Sequence, residues 1–174
     1  VLNGLEIERA HVLGHSFGGQ VAQVFATSHP ERVEALTVLC ARSTPYPPFA
    51  AAAAAIERDG IQVAAEGALK RWFAREAIER DDPAVRYSRS RLGPEATGTL
   101  VATFRLIAEF DIRDRLRTLE APARFIAAER DTVATPGELA RAARLAPKGE
   151  FILERSVGHM LPVEAPEQLA RLSW

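Results

Sequence analysis

The pentapeptide Gly14-His15-Ser16-Phe17-Gly18 has the form G-x-S-x-G. That spacing suits a serine held on a sharp strand-to-helix turn, in a strained backbone conformation that lifts its hydroxyl clear of the sheet. Glycine is expected at both 14 and 18, because a side chain at either place would collide with the turn. A helix starting at the serine would aim its N-terminal dipole at a developing oxyanion, and the Phe17 N–H is one expected oxyanion donor. The flanks agree. Ala10–Leu13 is a short apolar run, and Val21, Val24 and Phe25 recur at helical spacing after the motif. A glycine-rich βα turn that binds nothing has the same pentapeptide, so the flanks carry much of the weight. Gly14, Gly18 and Gly19 do not fit the G-x-G-x-x-G of a dinucleotide site.

A serine hydroxyl is a poor nucleophile until a neutral imidazole takes its proton, and the imidazole needs a carboxylate to fix its tautomer. Asp131 stands in Glu129-Arg130-Asp131-Thr132, after the strand-like Ala123–Ala128. His159 stands in Ser156-Val157-Gly158-His159, after the short strand-like Phe151–Leu153. The chain order serine, acid, histidine is one that such triads use. Both loops leave the carboxyl ends of strands, the rim where α/β sheets place their sites. Glu129 is a rival acid, and Asp131 is preferred because it lies further out in the loop. A turn cap at Asp131 and a surface position for His159 are the bland readings. As bases the other histidines fit less well: His11 is inside a strand, His15 is inside the turn, and His29 ends the next helix. Cys40 reads as a buried strand residue. No cysteine/histidine cluster has ligand spacing, and the chemistry calls for no metal or cofactor.

The elements that must position these groups are set by periodicity. Ala10–Leu13, a helix over 18–28 and the strand Val33–Cys40 make a right-handed βαβ unit of a parallel sheet. A proline-rich loop comes next, then about sixty residues of helical pattern, with six consecutive alanines in Phe49–Asp59 and with Ala68, Leu69, Trp72 and Phe73 on one face. Strand–helix alternation resumes with Ala123–Ala128, a helix Gly137–Leu145, Phe151–Leu153 and a last helix Glu164–Leu172. The expected fold class is α/β, a partial parallel sheet with a helical cap insertion. Residues 1–44 and 111–174 form the core, and 45–110 form the cap.

Composition narrows the partners. The 174 residues are 47% hydrophobic and carry a net charge of −1. Such a balance implies no basic face, so neither nucleic acid nor an anionic membrane surface is expected, and a small molecule is the expected partner. A lone cysteine fits a reducing compartment, hence a cytoplasmic protein. No apolar run approaches a membrane helix. The oligomeric state stays open. The chain starts at Val1 and its one methionine is Met160, so a fragment, a processed product or an alternative start is expected.

The run Ile7 to Gly19 resembles the nucleophile region of α/β hydrolases, and Ser28-His29-Pro30-Glu31-Arg32-Val33 resembles the segment just after that region. Leu119-Glu120-Ala121-Pro122, the Asp131 loop, and Gly158-His159 trailed by Glu164-Ala165-Pro166-Glu167 are similar to later landmarks of that superfamily. The resemblance implies a bacterial serine hydrolase with Ser16 as nucleophile, His159 as base and Asp131 as acid. In the helical block, Leu69-Lys70-Arg71-Trp72-Phe73 is similar to the cap of 3-oxoadipate enol-lactonase-like hydrolases. That implies a small carboxylated ester or lactone as substrate, cleaved through an acyl-enzyme, with Arg71 or Trp72 touching it. The plain alternative is that Trp72 and Phe73 are cap core and Arg71 is solvated. Other acyl or carbon–carbon hydrolases share the triad, and a non-catalytic remnant would keep the fold. The superfamily has roughly four further strands upstream, and the loop giving a second oxyanion donor lies among them. Ala128 also stands where glycine is usual. Residues 1–174 alone are therefore expected to be poorly soluble and nearly inactive, with the Ala10–Leu13 strand unpaired on its outer edge.

Overall fold

The computed structural model describes residues 1–172. Four parallel strands lie in the order β1 (Ala10–His15), β2 (Val33–Leu39), β3 (Ala123–Ala128) and β4 (Gly149–Glu154). The central pair is buried almost throughout, as a parallel sheet covered on both faces requires. Side chains alternate between two cores along β3. Phe125 and Ala127 join Leu36 and Val38 against Ala22, Ala26, Leu139 and Ala142. Ile126 and Ala128 join Leu39 against Val157 and Leu161. The first core sits under α1 (Phe17–Ser28), α7 (Arg113–Leu116) and α8 (Pro136–Leu145). Among the described residues β1 is an edge, and Leu13, Val21 and Val24 expose much of their apolar surface.

Between β2 and β3 the chain is helical: α2 (Pro48–Asp59), α3 (Ile61–Trp72), α4 (Arg75–Glu79), α5 (Pro83–Ser90) and α6 (Thr97–Glu109). The alanine run falls in α2, which proline opens and Gly60 closes at φ 84°. Phe49 stacks on Phe104 at 4.2 Å between centroids. Ile56, Ile61 and Ile107 pack with that pair, and so does Val133 from the loop after β3. The cap core thus reaches down into the acid loop.

The expected last helix, Glu164–Leu172, starts two residues later as α10 (Pro166–Leu172), and a short helix α9 (Leu161–Glu164) precedes it. Pro166 has no N–H and disfavours helical backbone before it, so Ala165 takes φ −146° and breaks the run.

Candidate active site

Strand register brings the loops to one rim. His15 pairs with Leu39, and Ala128 pairs with Glu154. Beyond those ends the ladder continues by single bonds: Ser16 N–H to Leu39 O at 2.9 Å, and Glu129 N–H to Glu154 O at 2.8 Å. Ser16 comes directly after β1 at φ 52°, ψ −121°, a left-handed conformation that strains a serine backbone. The helix α1 starts at the next residue, so the Phe17 N–H has no helical carbonyl to donate to.

The glycine requirement differs from expectation at one position. A Cβ on Gly14 would lie 2.1 Å from Gly18 O, as expected of a tight turn. A Cβ on Gly18 would meet nothing within 4 Å. The second close approach falls on Gly19, whose Cβ would lie 2.4 Å from the Ala41 Cβ and 2.8 Å from Gly14 O. The reason is that α1 turns Gly19, not Gly18, back toward β1 and the end of β2. Gly19→Ala is expected to cost roughly 1–3 kcal/mol or more, because an alanine methyl and a backbone oxygen cannot swing aside. Gly18→Ala should unfold within a few degrees of wild type, as thermal denaturation of the two variants will show.

The three residues expected to act together meet here. Ser16 Oγ lies 2.9 Å from His159 Nε2, and His159 Nδ1 lies 2.8 Å from Asp131 Oδ2. The other Asp131 oxygen accepts N–H bonds from Val133 at 2.7 Å and Ala134 at 3.0 Å. Asp131 and His159 are both buried. With the carboxylate oriented in this way, the Nδ1–H of His159 donates to it and Nε2 is left to accept from the serine hydroxyl. Glu129 is elsewhere: it accepts the Ser156 N–H and pairs with Arg155 at 3.5 Å.

Two positions that sequence reasoning passed over support this arrangement. His15 Nε2 lies 2.7 Å from the carbonyl oxygen of His159, so its Nε2–H donates there, and the two rings sit 5.2 Å apart. Arg42, just past β2, donates to Val133 O at 2.7 Å, forms an ion pair with Glu138 and lies 4.7 Å over the Tyr46 ring. It holds the carbonyl side of the residue whose N–H holds Asp131. Nothing in the sequence near 15 or 42 points to partners 144 or 91 positions away.

Burial, helped by the neighbouring His159, pushes His15 down from 6.5 to about 4. Its imidazole is therefore neutral in the folded protein across pH 5–8, whereas in the unfolded chain it takes up a proton below about 6.5. Stability tied to His15 is complete above that value and falls as pH drops toward about 4, by on the order of 3 kcal/mol. Urea unfolding at pH 7 and pH 5 should show a larger loss for wild type than for His15→Asn. Equal losses would remove His15 from the acid sensitivity.

Arg71 and Trp72 end α3 and do not line the narrow cavity around Ser16, which is bounded by Phe17, Gln20, Arg42, Ile107 and Val133 among others. Arg71 Nε is buried without a hydrogen-bond partner, the guanidinium carbon stands 5.9 Å from the Phe49 ring centre, and burial lowers its pKa. Its carbonyl accepts the Thr132 hydroxyl at 3.4 Å, which ties α3 to the acid loop. Trp72 is half-buried between two cap clusters and borders an apolar cavity of about 280 Å³ with Tyr87, Leu92, Leu100 and Met160. Phe73 is core. Cys40 is buried at φ 47°, and burial pushes its thiol well up.

A serine on a strained strand-to-helix elbow after β1, with an acid from the end of β3 and a histidine from the end of β4 of one parallel sheet, defines an α/β protein of the nucleophile-elbow type. The alpha/beta hydrolase family matches residues 1–172, and the chain belongs to that family. It is 25% identical over 176 residues to 3-oxoadipate enol-lactonase 1 of Acinetobacter baylyi, covering 99% of this chain and 65% of that protein. A Caulobacter sp. (strain K31) protein named for carbamate hydrolysis is 28% identical over 178 residues, covering 96% of this chain and 65% of the relative. The chain thus spans slightly less than two thirds of the length of these relatives. The crystal structure of the enol-lactonase from Burkholderia xenovorans LB400 superposes with a TM-score of 0.89 at 21% identity, over 98% of this chain and 66% of that one, a likeness of fold.

Proposed function

We propose that this chain carries the catalytic centre of a cytoplasmic serine hydrolase that cleaves a small carboxylic ester or lactone through an acyl-enzyme. The observation that carries the reading is the hydrogen-bonded series Ser16–His159–Asp131. His159 Nε2 takes the Ser16 proton as Oγ bonds to the substrate carbonyl carbon. The carbonyl oxygen becomes an oxyanion beside the Phe17 N–H at the N-terminus of α1. Collapse expels the alkoxide, which leaves with the proton from His159. Water then attacks the acyl-enzyme, giving its proton to His159, and the acid departs as Ser16 recovers that proton. Asp131 stays ionised and stabilises the imidazolium in both halves.

The substrate class is drawn from Arg71 and from the lactonase relative. Arg71 lies outside the narrow cavity at Ser16, so the carboxylate it would take stands at the far end of the substrate, where a guanidinium with an unpartnered Nε has donors to offer by forked hydrogen bonds. Trp72 beside it would supply apolar contact. A second acyl reading, hydrolysis of a carbamate, has the 28% relative in its favour and uses the same three residues.

The test is a panel of aryl esters and lactones, each with a free carboxylate or with its methyl ester, assayed on the intact protein. Carboxylated members should be preferred. Arg71→Gln should erase that preference by roughly 10–100-fold in kcat/KM, the worth of hydrogen bonds to a charged group. An unchanged preference would remove Arg71 from substrate binding, and turnover of carbamates alone would favour the second reading.

A further inference from the structure

His159 projects from a main chain that is tied on three sides. The Gly158 N–H donates to Glu164 Oε2 at 3.2 Å, and the Met160 N–H donates to Glu164 Oε1 at 3.1 Å. The carbonyl of His159 itself accepts from His15. One carboxylate thus receives the peptide N–H on either side of the residue that bears the imidazole. We propose that Glu164 is a positioning residue for the His159 base, holding residues 158–160 so that Nε2 meets the Ser16 hydroxyl.

The plainer role is a helix cap. Glu164 ends α9, and its bond to the Met160 N–H resembles the return half of a capping box. Capping accounts for one oxygen only. The other reaches Gly158, outside the helix, on the far side of His159. The site is also built around this contact. A Cβ on Gly158 would lie 3.0 Å from Glu164 Oε1 and 2.7 Å from the Trp72 carbonyl oxygen, so the base loop passes between the carboxylate and the end of α3 with room for glycine alone. Moving Glu164 therefore frees the loop on one side, and among the described residues no other acceptor holds the Gly158 and Met160 N–H groups. Burial raises the Glu164 carboxyl, while the two N–H bonds and the nearby His159 pull it down. The carboxylate is half-buried, where hydrogen bonds act more strongly than in water.

Catalysis by a base depends steeply on its placement, and an error near 1 Å costs about 10²-fold. This inference rests on the triad reading. In the intact protein, Glu164→Ala is expected to lower kcat for an aryl ester by about 10–100-fold while KM stays within about twofold. Glu164→Gln keeps one carbonyl acceptor and should recover part of that loss. Rates are expressed per active site, titrated to completion with a fluorophosphonate, so that unfolded protein does not enter them. Should Glu164→Ala fail to fold, Glu164→Gln decides: its kcat per site should lie about 3–10-fold below wild type. Wild-type kcat per site in the folded variants, or a loss confined to KM, overturns the proposal. Ser16→Ala, which has no serine to titrate and is therefore assayed per mole of folded protein, keeps the two readings apart. Turnover that survives it would end the triad reading, and with it the base that Glu164 is meant to hold. A dead Ser16→Ala beside fully active Glu164 variants would end only the role of Glu164.

Discussion

Ser16→Ala is expected to lower kcat on an aryl ester by on the order of 10³-fold or more and to abolish fluorophosphonate labelling. His159→Ala should do about the same. The double variant should lose little further, because the hydroxyl and the imidazole act through one hydrogen bond, 2.9 Å long, and removing either end removes the function of both. Residual turnover would come from the Phe17 N–H and from substrate binding, which neither change touches. Losses that multiply in the double variant would mean that the two side chains work independently. The triad would then be wrong, whatever the distances.

Asp131→Asn is expected to be nearly as damaging, about 10³–10⁴-fold in kcat, with the fold preserved. Its two oxygens do different work. Oδ1 accepts the Val133 and Ala134 N–H groups, and Oδ2 accepts from His159 Nδ1. In asparagine the amide oxygen will keep the place facing the two backbone donors, because an NH₂ there would oppose two N–H groups in a buried site. The NH₂ then faces Nδ1 and forces the imidazole proton onto Nε2. His159 can no longer accept from Ser16. Thermal stability should change little, since the loop keeps both of its hydrogen bonds. Glu129→Gln should leave kcat within a few-fold, because Glu129 serves the Ser156 N–H and Arg155 instead. The reverse ranking of the two variants would move the acid to Glu129.

The residues of the site and their order were legible in the sequence because each belongs to a local pattern. Gly14-His15-Ser16-Phe17-Gly18 stands between an apolar run and a helical period, and a strand-to-helix turn is a matter of neighbouring residues. Asp131 and His159 each come after a short apolar strand, and parallel strands buried on both faces announce themselves as continuous apolar runs. The elements came with their ends displaced by a residue or two, since termini depend on bonds that periodicity does not record. The α9–α10 break was signalled by Pro166, yet the helical pattern of the residues after it hid the break.

What remained was settled by contacts between distant parts of the chain. Glu129 and Asp131 differ in which one reaches His159, 28 positions away from Asp131, and that depends on how the loops leave the aligned ends of β3 and β4. Gly19 rather than Gly18 needs to lack a side chain because Ala41, on the neighbouring strand's exit, closes on it. In the sequence His15 is only a poorer candidate for the base, inside the turn, and only the fold sets its ring against the carbonyl of His159. Arg71 and Trp72 have the residue types of a binding site, but the packing of α3 on the acid loop and the base loop determines what each faces. Local sequence determines which residues form each turn and strand, because backbone conformation and burial period are short-range. Tertiary structure decides which side chains meet, because a parallel sheet joins its strands by long crossovers, and the register that aligns their ends is written in no single segment.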